Sequence, residues 1–90
     1  MEKKDFIKDS EVLKALSHPL RLKILEIIFD HEICVNELSS SLDISQPTSS
    51  HHLAILKNSE IVFSRKIGSK VYYSIKDNFA RSIISILRSN

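Results

Sequence analysis

Cysteine, glycine and proline are scarce in this sequence, and each scarcity excludes a class of structure. One cysteine among 90 residues leaves no disulfide within the chain. One glycine leaves no glycine-rich loop of the kind that cradles phosphates in nucleotide-binding enzymes. Since only two prolines are present as well, few positions interrupt a helix, and we expect helices to dominate.

Long apolar runs are missing too. No run approaches the ~20 residues that a membrane-spanning helix needs. The first residues, MEKKDFIKDSE, are charged and lack the apolar core of a signal peptide. We therefore expect a soluble, cytoplasmic protein with no membrane partner.

The length and the composition favour one small folded domain over residues 1–90. Hydrophobic residues make up 42% of the chain, too many for a disordered segment. A chain of this length buries only a thin core, so help from a partner chain is expected. The formal net charge of +2 is too small to indicate a nucleic-acid partner by itself. A nucleic-acid partner is indicated only if the positive residues cluster on one part of the surface.

Apolar spacing predicts four helices in the first part of the chain. Pro19 suits the first turn of the second helix, and Ser45 can cap the fourth by accepting a backbone N–H bond. Asp43, between the third helix and the fourth, tolerates the left-handed conformation better than most residues do. The four segments are DFIKDSEVLKALS, SHPLRLKILEIIFD, VNELSSSLDIS and a last one from Ser45 to about Asn58.

After about Asn58 the spacing of apolar residues no longer follows the period of a helix and is typical of strands. The segment IVFSRKIGSKVYYSI is rich in branched and aromatic residues, and Gly68 followed by Ser69 fits a two-residue hairpin turn. A fifth helix, DNFARSIISILRSN, follows, with Asp77 as its cap. The predicted fold class is mainly α with a small β-hairpin, in the order α-α-α-α-β-β-α. A short helix, a tight turn, a capped polar helix and a basic hairpin together describe a winged helix-turn-helix.

The fourth helix has a packing side and a polar side. At 100° per residue, the packing face is predicted to contain Ser49, His52, Leu53 and Leu56. The other sides carry small polar side chains and a histidine, which can bond to base edges while the helix approaches closely. These outward residues are Pro47, Thr48, Ser50, His51, Ala54 and Ile55. The alternative is a solvated, serine-rich surface with no DNA role.

Basic residues flank this helix. Arg65, Lys66 and Lys70 concentrate charge on the hairpin, and Lys57 ends the fourth helix. We predict that these four side chains neutralise phosphates beside the groove. The alternative is that the hairpin charges only keep an edge strand soluble.

Several motifs, in the right order, resemble the ArsR/SmtB family of bacterial and archaeal repressors. They cover roughly residues 12 to 75 and include LKALSHPLRLKILEII, the run SQPTSSHHL and the wing GSKVYY. The resemblance implies a homodimeric winged helix that binds an inverted-repeat operator on double-stranded DNA and represses transcription at the nucleoid. Pro47 departs from the small polar residue common at its place. The base-reading positions that the resemblance implies are Gln46, Thr48, Ser50 and His51.

The metal-sensing sites known in this family are incomplete here, so we predict no metal site and no cofactor. Cys34 and Asn36 stand where the family has two thiolates on the third helix, and one thiolate with an amide suits a soft metal poorly. On the last helix Asp77 matches the first ligand, but Phe79 replaces a histidine and the sequence ends before the later ligands. The adjacent histidines of the fourth helix point about 100° apart and cannot chelate one ion together.

Three other functions remain to be weighed. One is a repressor that responds to oxidation of Cys34, although a lone cysteine is more often a small buried apolar residue. A second is a winged-helix module for protein interaction, without specific DNA binding. A hydrolase built on the serines and histidines is not expected, because no G-x-S-x-G elbow is present. The sequence names no effector.

An apolar stripe on the last helix predicts a homodimer. A monomer of this size does not easily bury such a face together with the second helix, and an exposed stripe usually marks an interface. Packing within the monomer is the alternative. The predicted interface residues are Phe6, Leu13, Phe79, Ile83, Ile86 and Leu87, with Ala80 and Ile84 widening the stripe and Val12 beside it.

Overall fold

The structure is a computed structural model that describes residues 5–90, so the first four residues of the predicted domain lie outside the described ones. The predicted order of four helices, a hairpin and a last helix is confirmed, with one short strand added. The described elements are α1 (Phe6–Leu16), α2 (Pro19–Ile28), β1 (Ile33–Cys34), α3 (Val35–Leu42), α4 (Gln46–Asn58), β2 (Val62–Ile67), β3 (Lys70–Ile75) and α5 (Asn78–Arg88). None of these helices is long and apolar enough to cross a bilayer.

Side-chain caps fix where α4 and α5 begin. The Ser45 hydroxyl accepts a hydrogen bond from the backbone N–H of Thr48 at 3.2 Å. The Asp77 carboxylate accepts one from the N–H of Ala80 at 2.8 Å. Both predicted caps are confirmed. Each cap satisfies a donor that the first turn of a helix would otherwise leave unpaired.

A left-handed residue and a buried hydroxyl pair set the angle between α3 and α4. Asp43 ends α3 at φ 55°, in the left-handed region that was predicted for it. Inside the corner, the hydroxyls of Ser39 and Ser49 lie 2.7 Å apart, and both residues are buried. Ser49 donates to the carbonyl oxygen of Ser45 at 3.3 Å, so Ser39 donates to Ser49.

The hairpin belongs to a three-stranded antiparallel sheet in the order β1-β3-β2. Gly68 makes the turn between β2 and β3 at φ 64°, a conformation that glycine adopts without strain. The strand β1 was not predicted, because two residues are too few to show an alternating pattern. It pairs Ile33 with Tyr73 and Cys34 with Tyr72, and so ties the start of α3 to the hairpin.

One apolar core joins all five described helices to the base of the sheet. Its most completely buried side chains come from α2, α3, α4 and α5, including Ile24, Leu25, Leu38, Leu56 and Ile84. Three residues that the sequence placed in or beside the dimer stripe belong to this core instead. They are Val12, Ala80 and Ile84, each at most 2% exposed. The stripe prediction was wrong for them because both α1 and α5 turn one side inward.

The buried hydroxyl pair gives a prediction about stability. Ser49→Ala leaves the Ser39 hydroxyl buried without its acceptor, so the free energy of unfolding should fall by about 1–3 kcal/mol. Replacing both serines by alanine removes donor and acceptor together and should cost less than Ser49→Ala alone. Urea unfolding at one fixed protein concentration measures all three proteins. A double variant that loses the sum of the two single losses would contradict the proposed pairing.

Candidate nucleic-acid interface

The N-terminal half of α4 presents the predicted base-reading side chains to solvent. Gln46, Thr48, Ser50 and His51 are all exposed. The predicted packing face is also confirmed, since Ser49, His52, Leu53 and Leu56 are the buried residues of this helix. Ile55 differs from its predicted place: it is half-buried against the core, so the inner face is wider than the sequence indicated.

The cap of α4 draws one of these side chains toward the helix start. The Thr48 hydroxyl lies 2.8 Å from the Ser45 hydroxyl, which also receives the Thr48 backbone N–H. Pro47 is exposed in the first turn, where no intrahelical partner exists for a backbone N–H. The first turn therefore keeps its geometry although Pro47 departs from the residue common at this position.

Directly beneath His51 lies a cluster of two further histidines and an arginine. His52 is 8% exposed, and its ring centroid lies 5.2 Å from that of His51 and 4.6 Å from that of His18. Arg21 Nη1 lies 3.3 Å from His52 Nδ1, and Arg21 Nε donates to the carbonyl of Ala15 at 2.5 Å. One guanidinium thus joins the end of α1, the start of α2 and the inner face of α4.

This cluster requires an uncharged His52. A guanidinium can only donate, so His52 Nδ1 must accept and carry no proton, and the proton of the neutral ring is on Nε2. Burial lowers the pKa of His52, and the nearby positive charge of Arg21 lowers it further. His18 is fixed in turn, because its Nδ1 accepts the N–H of Leu20 at 3.1 Å and caps α2.

The wing presents its cations on two different sides. Lys57, at the end of α4, donates to the Ser64 hydroxyl at 2.9 Å. Side chains alternate along a strand, so Lys66 lies on the same side of the hairpin as Ser64. Arg65 and, across the turn, Lys70 lie on the opposite side. All four predicted phosphate-binding side chains are exposed, but they do not form one continuous patch.

Arg65 differs from the lysines because it has an acidic partner. Its guanidinium donates from Nε to Glu32 Oε2 at 2.9 Å and from Nη2 to Glu32 Oε1. The hydrogen bond from Arg65 lowers the pKa of Glu32, and the same bond raises the pKa of Arg65. Glu32 stands just before β1, so the pair reaches across β3 from one edge of the sheet to the other.

Sequence reasoning missed both Arg21 and Glu32. Arg21 lies 31 residues from His52, and Glu32 lies 33 residues from Arg65. No local spacing or motif links residues so far apart, and both positions look like ordinary surface charges. The one signal that could have found Glu32 was the strand β1, whose recognition would have placed it beside the hairpin.

The apolar residues predicted for the dimer interface lie on neighbouring surfaces of α1 and α5, which pack against each other. Ile83 is half-buried against the core. The others are exposed: Phe6, Leu13, Phe79, Ile86 and Leu87. We refer to these five exposed side chains as the α1/α5 surface.

Cys34 is buried at the start of α3. It is 3% exposed, and its thiol lies 3.3 Å from Glu37 Oε1. Hydrogen bonds from the Cys34 side chain and backbone lower the pKa of Glu37. Within residues 5–90, no group of three or more histidine, cysteine, aspartate or glutamate side chains is placed to hold a metal ion. A redox role for Cys34 and the lack of the known metal sites both stay predictions.

The sequence model of one family matches the part of the chain that contains these elements. It is described as bacterial regulatory protein, arsR family, and it matches residues 18–64, more than half of the chain. The chain belongs to this family. The predicted resemblance is therefore confirmed, and the match spans α2, β1, α3, α4 and the first half of β2.

Named relatives and solved structures agree with this membership. An arsenical resistance operon repressor of Staphylococcus xylosus is 41% identical over 70 residues, which are 78% of this chain and 67% of the relative. The structure of HlyU from Vibrio cholerae superposes with a TM-score of 0.91 at 35% identity, covering 98% of this chain and 96% of that one. A homodimeric winged helix-turn-helix domain from Mycobacterium bovis has the same fold, with a TM-score of 0.84 at 23% identity, covering 99% of this chain and 88% of that one.

This ArsR-family chain is a DNA-binding transcriptional regulator. Several similar proteins are described as repressors, among them that of Staphylococcus xylosus, whereas HlyU of Vibrio cholerae is described as a transcriptional activator. The family is one of regulators and not of enzymes, so a hydrolase role for the serines and histidines of α4 is excluded. The interaction-module alternative gains no support from these similarities.

The neutral His52 gives a prediction about pH. Its pKa is lowered in the folded chain, so its contribution to stability is complete above the ordinary value of about 6.5 and is lost as the pH falls below that value. Acidification to about pH 5.5 should remove at most about 1.4 kcal/mol through this group.

Chemical unfolding, measured once above about pH 6.5 and once at about pH 5.5, tests this assignment with His52→Asn. The amide oxygen of asparagine can accept from Arg21 but does not titrate, so the variant should lose less stability on acidification than the unchanged chain. His31→Asn is the matched control, because His31 is exposed between α2 and β1. Equal losses in the unchanged chain and His52→Asn would show that His52 is not the titrating group.

Proposed function

We propose that this chain represses transcription as a homodimer on an inverted-repeat operator, with α4 of each subunit in the major groove. The observation that carries the proposal is the exposed, small and polar N-terminal half of α4, held on a rigid helix beside a basic wing. Two-fold symmetry sets such helices in successive major grooves about 34 Å apart. The protein then acts in the cytoplasm at the nucleoid, where it blocks access to a promoter.

The polar side chains of α4 would read base edges. Gln46 carries both a donor and an acceptor, and such amides pair with adenine in the major groove. Ser50 and Thr48 are short enough to let the helix approach, although Thr48 already shares its hydroxyl with Ser45. His51 is the largest outward side chain, and its ring stacks by its edge on the fixed ring of His52. We expect His51 to carry the most base preference.

The lysines would bind the phosphate backbone. Lys57 and Lys66 lie on the same side of the hairpin as Ser64, next to the C-terminal end of α4. Lys70 lies beside the turn on the other side and is exposed. Arg65 reaches a phosphate only if it leaves Glu32, so its contribution is expected to be smaller than that of a lysine. These contacts position the protein and carry no sequence information of their own.

The α1/α5 surface would form the dimer interface. Five exposed apolar side chains on two adjacent helices are unusual on a small monomer, and a second copy of the same surface would cover them. The Mycobacterium bovis domain of the same fold is described as homodimeric. We propose no metal and no cofactor, and the geometry names no effector.

The base-reading role is tested by comparing two substitutions on several DNA sequences. His51→Ala should weaken binding to the preferred sequence by about 1–3 kcal/mol and relax the preference at one base pair. Lys66→Ala should weaken binding to every sequence and reduce the slope of log affinity against log salt by about 0.9. Fluorescence anisotropy across a salt series measures both effects. If His51→Ala weakened binding equally on every sequence, His51 would not read bases.

The dimer role is tested by placing a charge on the α1/α5 surface. Leu87→Glu would bury an unpaired carboxylate, so the dimer dissociation constant should rise at least about tenfold, which corresponds to about 1.4 kcal/mol. Ile67→Glu is the matched control, because Ile67 is 49% exposed on the wing and Leu87 is 47% exposed. Sedimentation at micromolar concentration distinguishes the states. A monomeric unchanged chain, or equal effects of the two substitutions, would contradict the interface.

A further inference from the structure

Within the described residues, Arg65 is the one basic side chain of the hairpin β2–β3 that forms an ion pair. Lys66 and Lys70 form no ion pair with residues 5–90, although Lys70 lies near enough to Glu37 to help lower the pKa of that carboxyl after its hydrogen bonds with Cys34. Lys57, at the foot of the hairpin, is bonded to a neutral hydroxyl. Three lysine charges are therefore open to an anion, while the arginine charge is already matched by Glu32.

The contact between Arg65 and Glu32 has the form that a guanidinium also uses for phosphate. Two neighbouring donors, Nε and Nη2, meet the two oxygens of one carboxylate. The planar fork of arginine fits a carboxylate and a phosphate in the same two-point way. Glu32 thus occupies the donors that Arg65 would otherwise offer to the DNA backbone.

The fold does not need this ion pair to hold the wing in place. Backbone pairing fixes β2 on β3, from Val62 opposite Ile75 to Ile67 opposite Lys70. The strand β1 pairs with the other side of β3. The side chains of Arg65 and Glu32 are 59% and 28% exposed, so solvent screens the pair and its contribution is small beside that of the backbone pairing. A pair that adds little to the fold but neutralises one of the wing cations has its main consequence in binding.

We propose that Glu32 is an intramolecular competitor for phosphate, which holds Arg65 off the DNA backbone and sets the overall affinity of the wing. This inference rests on the proposed function, since it requires that the wing contacts DNA. Glu32 then lowers the affinity for DNA of every sequence without changing base preference, because a phosphate contact carries no sequence information. Glu32 acts as a positioning residue, through Arg65.

The test compares substitutions in the full chain by their salt dependence on one duplex. The probe is a mixed-sequence duplex of about 30 base pairs, long enough for two grooves one turn apart. The proteins are the unchanged chain, Glu32→Gln, Arg65→Gln and the double variant. The matched control is Glu60→Gln, because Glu60 pairs with Lys76 at 2.8 Å, at the end of the hairpin away from the turn. Both glutamate substitutions remove one negative charge.

The expected result is a gain that depends on Arg65. Glu32→Gln should steepen the salt slope by about 0.9 and tighten binding roughly fivefold to tenfold near 0.1 M salt. Glu60→Gln should leave the slope unchanged. Arg65→Gln should lower the slope by much less than the ~0.9 expected of Lys66→Ala, and it should abolish the gain when it is combined with Glu32→Gln.

Each other outcome overturns the inference in a recognisable way. If Glu32→Gln bound DNA more weakly, with a thermal unfolding profile like that of the unchanged chain, Glu32 would promote binding by positioning the wing and would not compete with phosphate. A slope lowered by about 0.9 by Arg65→Gln alone would show that Arg65 already makes a full phosphate contact beside Glu32. If Glu32→Gln and Glu60→Gln gained the same affinity, the gain would come from the change in net charge and not from the release of Arg65. If the unchanged chain showed no salt-dependent binding to the duplex, the proposed function would fail along with this inference.

Discussion

The inner face of α4 is fixed by two polar contacts inside an otherwise apolar core. Ser49 meets Ser39 at the corner with α3, and His52 meets Arg21 at the start of α2. Apolar packing alone tolerates small rotations of a helix, whereas hydrogen bonds accept only a narrow range of angles. The exposed side of α4 is therefore held in one orientation, and every base contact proposed for that side depends on this constraint.

The arrangement also explains why polar residues occur on both sides of the helix. Outward polar side chains face solvent, while the inward ones are paired inside the fold, and no buried side-chain polar atom of the described residues lacks a partner. A buried hydroxyl or ring without a partner would cost more than its bond contributes. The two histidines of α4 thus have different tasks: His52 fixes the helix, and His51 is proposed to face DNA.

The sequence predicted the elements well where local signals are strong. The caps Ser45 and Asp77, the turn at Gly68 and the left-handed Asp43 all depend on a few adjacent residues, and all were predicted. Contacts between distant residues were not predictable. The pairing of Arg65 with Glu32 depends on a two-residue strand, and the division of the α1 and α5 residues between core and surface depends on how those helices pack.

The central claim is that α4 reads a DNA sequence in each of two symmetric half-sites. Selection of bound duplexes from a pool of random sequence tests it most directly, since the operator does not have to be known in advance. We expect enrichment of an inverted repeat whose half-sites are centred about one helical turn, or about 10 base pairs, apart. Recovery of duplexes with no shared sequence, at the same affinity as the starting pool, would contradict it.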